Sequence, residues 1–329
     1  MITIFNAPSS IVAGAGASGE LLNQVKRLNA GAVLFITDPF ITSTGLIDRL
    51  QQPLIDEGIK TFVFNEVQAD PTVDNVLAGL KLLNECGGQL LIAVGGGSPI
   101  DTAKAISILK TNPQPLKLYM GYHKIPKAGM PVIAIPTTAG TGSEATKVAV
   151  ITDTEANLKM MLLDNHLMPS VALVDYELTM TMPKPLTAYV GVDTLTHGIE
   201  AYVSRKANFL TDPIALSCVE LVADNLIPAW EQPANKTARE AMSIAACQGG
   251  MAFTNSSVCL VHGMSRPLGV QFHLPHGLSN AVLLPAVTKF SIAGAVKRYA
   301  KIAGTMKLAS TNDSDESACN ALVKGLEEL

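Results

Sequence analysis

LLIAVGGGSPIDTAK, Leu90–Lys104, is the stretch that decides the fold. Its first five residues form a short apolar run with branched side chains, and the glycines that follow bound it, which predicts a buried strand. Gly95, Gly96 and Gly97 come next, then Ser98 and a helix opening with Pro99 and Asp101. Glycine lets backbone approach a ligand closely, and a helix N-terminus presents unpaired N–H groups and the positive end of its dipole. Together they form a cradle suited to a pyrophosphate. The plain alternative is a tight strand-to-helix turn in which Asp101 is an ordinary first-turn acid.

Outward from this stretch the same unit repeats. AVLFITD (32–38), KTFVFNEV (60–67) and MPVIAIPTT (130–138) are further apolar runs separated by helical patterns. Strands alternating with helices predict βαβ units and a parallel sheet. Asp38 closes one such strand, where an acid can bind ribose hydroxyls and repel a 2′-phosphate, favouring NAD over NADP. A rival glycine loop, GAGASG (Gly14–Gly19), formally matches GxGxxG, but only Ile11–Ala13 precedes it as strand. AIPTTAGTGSEAT (134–146) adds Thr137, Thr138, Thr141 and Ser143 beside a strand end. Those hydroxyls either line a nucleotide's ribose and phosphates or form an ordinary polar loop.

After about residue 183 the pattern changes. Strand-like runs give way to apolar residues at three- and four-residue spacing in DPIALSCVELVADNLIPAW (212–230), KTAREAMSIAACQGGMAF (236–253) and AGAVKRYAKIAGTM (293–306). The expected organisation is an α/β domain over 1–183 and a helical domain over 184–329, with Pro183 and Pro185 at the boundary. The last 22 residues, LASTNDSDESACNALVKGLEEL, read as a polar loop and the start of a helix, an ending expected of a shortened C-terminus.

Composition limits the partners. Charged residues are 16% of the 329-residue chain and apolar ones 48%, against about 25% charged in ordinary globular proteins. So much apolar surface predicts burial in a homodimer or larger homo-oligomer. A net charge of −4 without a basic run argues against nucleic acid or an anionic membrane. Neither a membrane-length apolar run nor a secretory leader stands in the sequence, so a cytoplasmic location is expected. The five cysteines are scattered without a CxxC pair, which fits reduced thiols.

Asp193 and His197 stand four apart in YVGVDTLTHGIEAY (189–202), and His262 and His276 lie in VHGMSRPLGVQFHLPHGLSNAVLLP (261–285). Residues at i and i+4 share a helix face, so the first pair can grip one ion while the second pair arrives on another element. One carboxylate and three imidazoles suit a divalent metal with room for a substrate oxygen. Solvated or structural Asp/His pairs at this spacing are the competing explanation.

With these pieces in order, the chain resembles the iron-containing (group III) alcohol dehydrogenases, including lactaldehyde and 1,3-propanediol oxidoreductases. The motifs that carry the resemblance are GGGSPIDTAK, AIPTTAGTGSEAT, LVDYELTMTMP, VGVDTLTHGIEAYVS and the 261–285 segment. It implies a dehydroquinate synthase-like fold: an N-terminal dinucleotide-binding α/β domain, an all-helical C-terminal domain, and a metal in the cleft between them. Asp193, His197, His262 and His276 then match metal ligands for Fe²⁺ or Zn²⁺. Asp38, Gly95, Gly96, Gly97, Ser98, Asp101, Thr137, Thr138, Thr141 and Lys159 match positions that bind NAD. A solvated helix lysine is the alternative for Lys159. The implied reaction is hydride transfer between NAD and a small primary alcohol or diol and its aldehyde. The alternatives are a glycerol dehydrogenase, a dehydroquinate synthase-like lyase, or a non-catalytic metal- and nucleotide-binding subunit. Where many members carry a second histidine, four residues after His262, this chain has Arg266. Arginine stays protonated and cannot relay a proton, so either His273 or water fills that role or Arg266 holds an anionic substrate group.

Overall fold

The structure, a computed structural model, describes residues 2–272 and 274–329. His273, one candidate for proton relay, lies outside the described residues. The chain divides into an α/β unit of Asn6–Thr138 and Ser143–Thr179, and a helical unit built on Met180–Leu329 with Ala139–Gly142.

Nine strands form in the α/β unit: β1 (Ser10–Ala13), β2 (Ala32–Ile36), β3 (Lys60–Phe64), β4 (Leu90–Gly95), β5 (Gly121–Tyr122), β6 (Val132–Pro136), β7 (Val148–Asp153), β8 (Leu158–Leu163) and β9 (Val171–Val174). Six of them make a sheet in the order β1-β9-β6-β4-β2-β3, and every pair in it is parallel. Along β2 the side chains alternate between two apolar layers. Val33 and Phe35 join the layer of Ile47, Leu50 and Leu54, whereas Leu34 and Ile36 join that of Val76, Leu83 and Ile106. A strand buried on both faces must be apolar at every position, which is why AVLFI shows no polar alternation. Each such side chain contributes about 2 kcal/mol through removal from water.

Helices α1 (Leu21–Arg27), α2 (Pro39–Ser43), α3 (Leu46–Asp56), α4 (Val73–Cys86) and α5 (Gly97–Thr111) connect these strands. From β2 the chain steps outward to β3 and then returns to β4 on β2's other side. The strand order therefore reverses between β2 and β4. In open parallel sheets the crevice at such a reversal, beyond the carboxyl ends of the strands, is where ligands bind.

Sequence patterning missed β5, β9 and a hairpin. KVAVITDTEANLKMMLLD (147–164) folds into the antiparallel β7–β8 hairpin of a second, three-stranded sheet. Lys159 thus sits on β8, not on a helix, and its ammonium lies 2.7 Å from the Asp70 carboxylate.

The helical unit comprises α6 (Lys184–Val203), α7 (Asp212–Glu231), α8 (Lys236–Asn255), α9 (Leu260–Phe272), α10 (His276–Ser291), α11 (Val296–Thr305) and α12 (Asp315–Glu328). Its core gathers Leu195, Ile199, Val219, Val222, Met242, Leu284 and Ile302. Helix α6 is buried nearly all round from Asp193 to Tyr202, so its polar residues face other helices. Ala139–Gly142 joins this unit because the Thr194 hydroxyl donates to the carbonyl of Gly140 at 3.2 Å. No single helix among the described residues is long and apolar enough to cross a membrane.

Candidate metal centre and cofactor loop

Asp193, one turn before His197 on α6, is 3% exposed. Its Oδ1 lies 3.7 Å from His197 Nε2, 3.5 Å from His262 Nε2 on α9 and 3.7 Å from His276 Nε2 at the start of α10. With metal–ligand bonds of about 2.1 Å, neighbouring ligands of a tetrahedral ion stand roughly 3.4 Å apart. The three separations match that spacing to within a few tenths of an ångström. Asp193, His262 and His276 further offer atoms all within 4.8 Å of one another. The donor set therefore fits a divalent ion, and His197 stands at the same distance from the carboxylate as His276.

Packing brings these side chains together. A Cβ on Gly277 would lie 2.2 Å from the Tyr189 carbonyl; only a glycine lets α10 begin this close to α6, which sets His276 beside Asp193. His197 stacks on Phe253 at 4.5 Å and on His262 at 4.8 Å. His276 keeps 45% of its side chain exposed, against about 5% for the others, so the group opens to solvent on that side.

Charge follows from burial and proximity. Burial works to raise the Asp193 carboxyl, but the imidazoles of His197, His276 and His262 outweigh it and hold the group far below the usual carboxylate range. Burial pushes His197 down to about 4, against the pull of Asp193; its ring is neutral at pH 7. Burial also opposes charge on His262, yet hydrogen bonding to Asp193 and Glu200 lifts it to about 9.

Two residues that sequence reasoning missed complete the group. Glu200 accepts from His262 Nδ1 at 2.7 Å, and Asn280 donates its amide N–H to Asp193 Oδ1 at 2.6 Å. Helical spacing held the signal for both, since Glu200 lies seven residues after Asp193 and Asn280 four after His276.

In the α/β unit, Gly95 has φ +146°, and a Cβ there would meet Pro99 Cγ at 2.6 Å and Asp38 Oδ2 at 3.4 Å. Asp38 and the glycine turn thus adjoin at the strand-order reversal. Asp38 also caps α2 by accepting from Ile41 N at 2.8 Å. Thr137 N donates to the Gly95 carbonyl, and Thr138 would lie 3.4 Å from a Cβ on Gly96. Ser98 Oγ donates to the Ala69 carbonyl. Thr141 belongs with the helical unit. The rival loop has its amides engaged, because Gly16 N and Ser18 N both donate to Asp175.

Asp101, expected at the cofactor, also ties α5 to its neighbours: Oδ1 accepts from Ser143 Oγ at 2.5 Å and Oδ2 from Val150 N on β7 at 2.9 Å. Beside it lies fully buried Lys104, donating to Ser143 Oγ, Thr146 Oγ1 and the Val148 carbonyl. Burial lowers Lys104 to about 8 and raises Glu144 to about 7.

Comparison with known proteins agrees with both halves. Residues 8–176 match the family model for iron-containing alcohol dehydrogenase, and residues 187–329 match that for the family's C-terminal domain. This chain belongs to the iron-containing alcohol dehydrogenase family. Alcohol dehydrogenase 4 of Saccharomyces cerevisiae is 38% identical over 323 residues, covering 98% of this chain and 84% of the yeast protein. The NAD-dependent methanol dehydrogenase of Bacillus methanolicus is 36% identical over 327 residues, covering 99% and 86%. A crystal structure of 1,3-propanediol oxidoreductase superposes with a TM-score of 0.97 at 33% identity, over 100% of this chain and 86% of that one.

Proposed function

We infer that this family member interconverts a small primary alcohol or diol and its aldehyde with NAD, using a divalent metal held by Asp193, His197, His262 and His276. The observation that carries the reading is the placement of three imidazole nitrogens at 3.5–3.7 Å from one buried carboxylate oxygen. An ion held there would draw electron density from an alcohol oxygen and, in reverse, polarise an aldehyde carbonyl. Asp193 supplies a permanent negative charge, and neutral His197 supplies a free lone pair at pH 7. The exposed edge of His276 leaves an approach for substrate. Iron is the ion of the family's name; the N/O donor set accepts Fe²⁺ and Zn²⁺ alike.

Asp38 beside Gly95 supports NAD as the nucleotide, with Gly96, Gly97, Thr137 and Thr138 bordering the same loop. Arg266 is four residues past His262 and makes no ion pair or hydrogen bond among the described residues. An unpaired guanidinium one turn from a ligand supports an aldehyde carrying an anionic group as a second substrate class. The five cysteines form no disulfide among the described residues, in keeping with a reducing compartment such as the cytoplasm. Exposed Phe209, Phe290 and Val282, at 97%, 77% and 70%, support burial in a homo-oligomer.

The test is NADH formation from primary alcohols and diols by protein loaded anaerobically with Fe²⁺, loaded with Zn²⁺, or metal-free. His262→Ala should lose metal and turnover while still binding NAD. Turnover that persists in the metal-free protein, or metal retained by His262→Ala, refutes the assignment.

A further inference from the structure

Glu200 is a buried acid with no lysine or arginine paired to it among the described residues. It is 3% exposed, and among the described residues its only ion-pair partner is His262. Three N–H groups converge on it: Cys259 N at 2.8 Å and His262 Nδ1 at 2.7 Å on Oε2, and Val261 N at 2.6 Å on Oε1. Cys259 immediately precedes α9 and Val261 is its second residue. The carboxylate thus caps α9 from a different helix, satisfying amides that have no partner within their own helix. It grips, in the same place, the ring of the third residue of α9.

An ionised carboxylate only accepts hydrogen bonds, so His262 Nδ1 must be the donor. When an ion takes the place of the proton on Nε2, the proton on Nδ1 stays with Glu200, and Nε2 would present its lone pair beside Asp193. His197 has no such device, since its Nδ1 is buried without a hydrogen-bond partner among the described residues. We propose that Glu200 is a positioning residue for the metal centre: it fixes the Nδ1–H tautomer and orientation of His262 while anchoring the start of α9, so that Nε2 faces the ion. The proposal rests on the metal-centre reading above. Substituting the carboxylates that orient metal-bound histidines typically weakens metal affinity by about 10- to 100-fold.

Glu200→Gln tests it. A carboxamide has one acceptor oxygen and one donor nitrogen, so it cannot receive all three N–H groups; one donor must face another. Zn²⁺ affinity of the folded protein, measured by competition with a chelator, should fall at least tenfold. In ¹⁵N–¹H spectra of the Zn²⁺-loaded wild type, the His262 ring should show a proton on Nδ1 that exchanges slowly, and Glu200→Gln should lose that protection. A capping role alone would lower the melting temperature of metal-free protein but leave both readouts unchanged. Zn²⁺ affinity within twofold of wild type overturns the proposal and leaves the metal centre standing, whereas a wild type that takes up no divalent ion overturns both. If Glu200→Gln does not fold, the wild-type spectrum decides: coordination through Nδ1, or a rapidly exchanging Nδ1 proton, refutes the proposal.

Discussion

Glu144 should make the stability of this protein fall as pH rises toward neutrality. The residue is 2% exposed in the short turn Ser143–Ala145, and burial raises its carboxyl from 4.5 to about 7, with Lys104 only partly opposing. Between those two values the folded chain holds a proton that the unfolded chain releases. Folding is therefore favoured at the acid end of the window, and the advantage is lost as pH climbs through 7. At 1.36 kcal/mol per pH unit, the displacement amounts to about 3 kcal/mol, a large share of the roughly 5–15 kcal/mol that holds a domain together. Glu144→Gln imitates the protonated form. It should match wild type near pH 4.5 and exceed it by about 3 kcal/mol near pH 7.5. Urea unfolding of metal-free protein, followed by far-UV circular dichroism at half-unit steps of pH, measures the difference. Titration of His197 and His262 is common to both proteins and cancels. Lys104 loses a neighbouring charge that raised it, so in the variant it falls further below 8 and its titration enters only at the top of the window. Curves for the two proteins that run parallel to within 1 kcal/mol from pH 4.5 to 7.5 would refute the assignment of a buried, proton-holding Glu144.

Gly95→Ala forces a Cβ against Pro99 at a φ suited to glycine and should destabilise the α/β unit by about 3 kcal/mol, read in denaturant midpoint, while weakening NAD binding; a loss under 1 kcal/mol would contradict the turn geometry. Asp38→Asn keeps the cap on α2 but removes the charge, and should raise kcat/KM with NADP relative to NAD at least tenfold. An unchanged cofactor ratio would take Asp38 out of the cofactor site. Arg266→His should raise turnover of simple alcohols near pH 7 if the position relays a proton, or raise KM for an acid-bearing aldehyde alone if it anchors an anion. No change with either substrate would remove both roles.

Several strands and the glycine turn after β4 were legible because they depend on local chemistry. LLIAV is apolar without interruption since both its faces are covered, and the glycines after it are needed by the backbone at Gly95. The β7–β8 hairpin was not legible. Its inward residues, Ala149, Ile151, Met160 and Leu162, alternate with partly exposed neighbours, but the TDTEAN connection lacks the Asn-Gly or Asp-Gly pair that marks a two-residue hairpin. Asp101 shows the same limit at a site: an acid at a helix start beside a glycine turn looks like a ligand contact, and only the fold shows that it also accepts from Ser143 and Val150.

The sequence by itself determined the alternation of strands and helices, the change to helices after about residue 183, and the four residue types that suit a metal. These follow from periodicity and side-chain chemistry, which need no partner element to be seen. Tertiary structure decided which atoms meet: that β2 and β4 adjoin and set Asp38 against Gly95, and that α9 and α10 close on α6 so His262 and His276 reach Asp193. It also decided that Glu200 holds the far nitrogen of His262. Contacts between residues 62 positions apart arise from packing three helices together, and no spacing rule along a single chain encodes that separation.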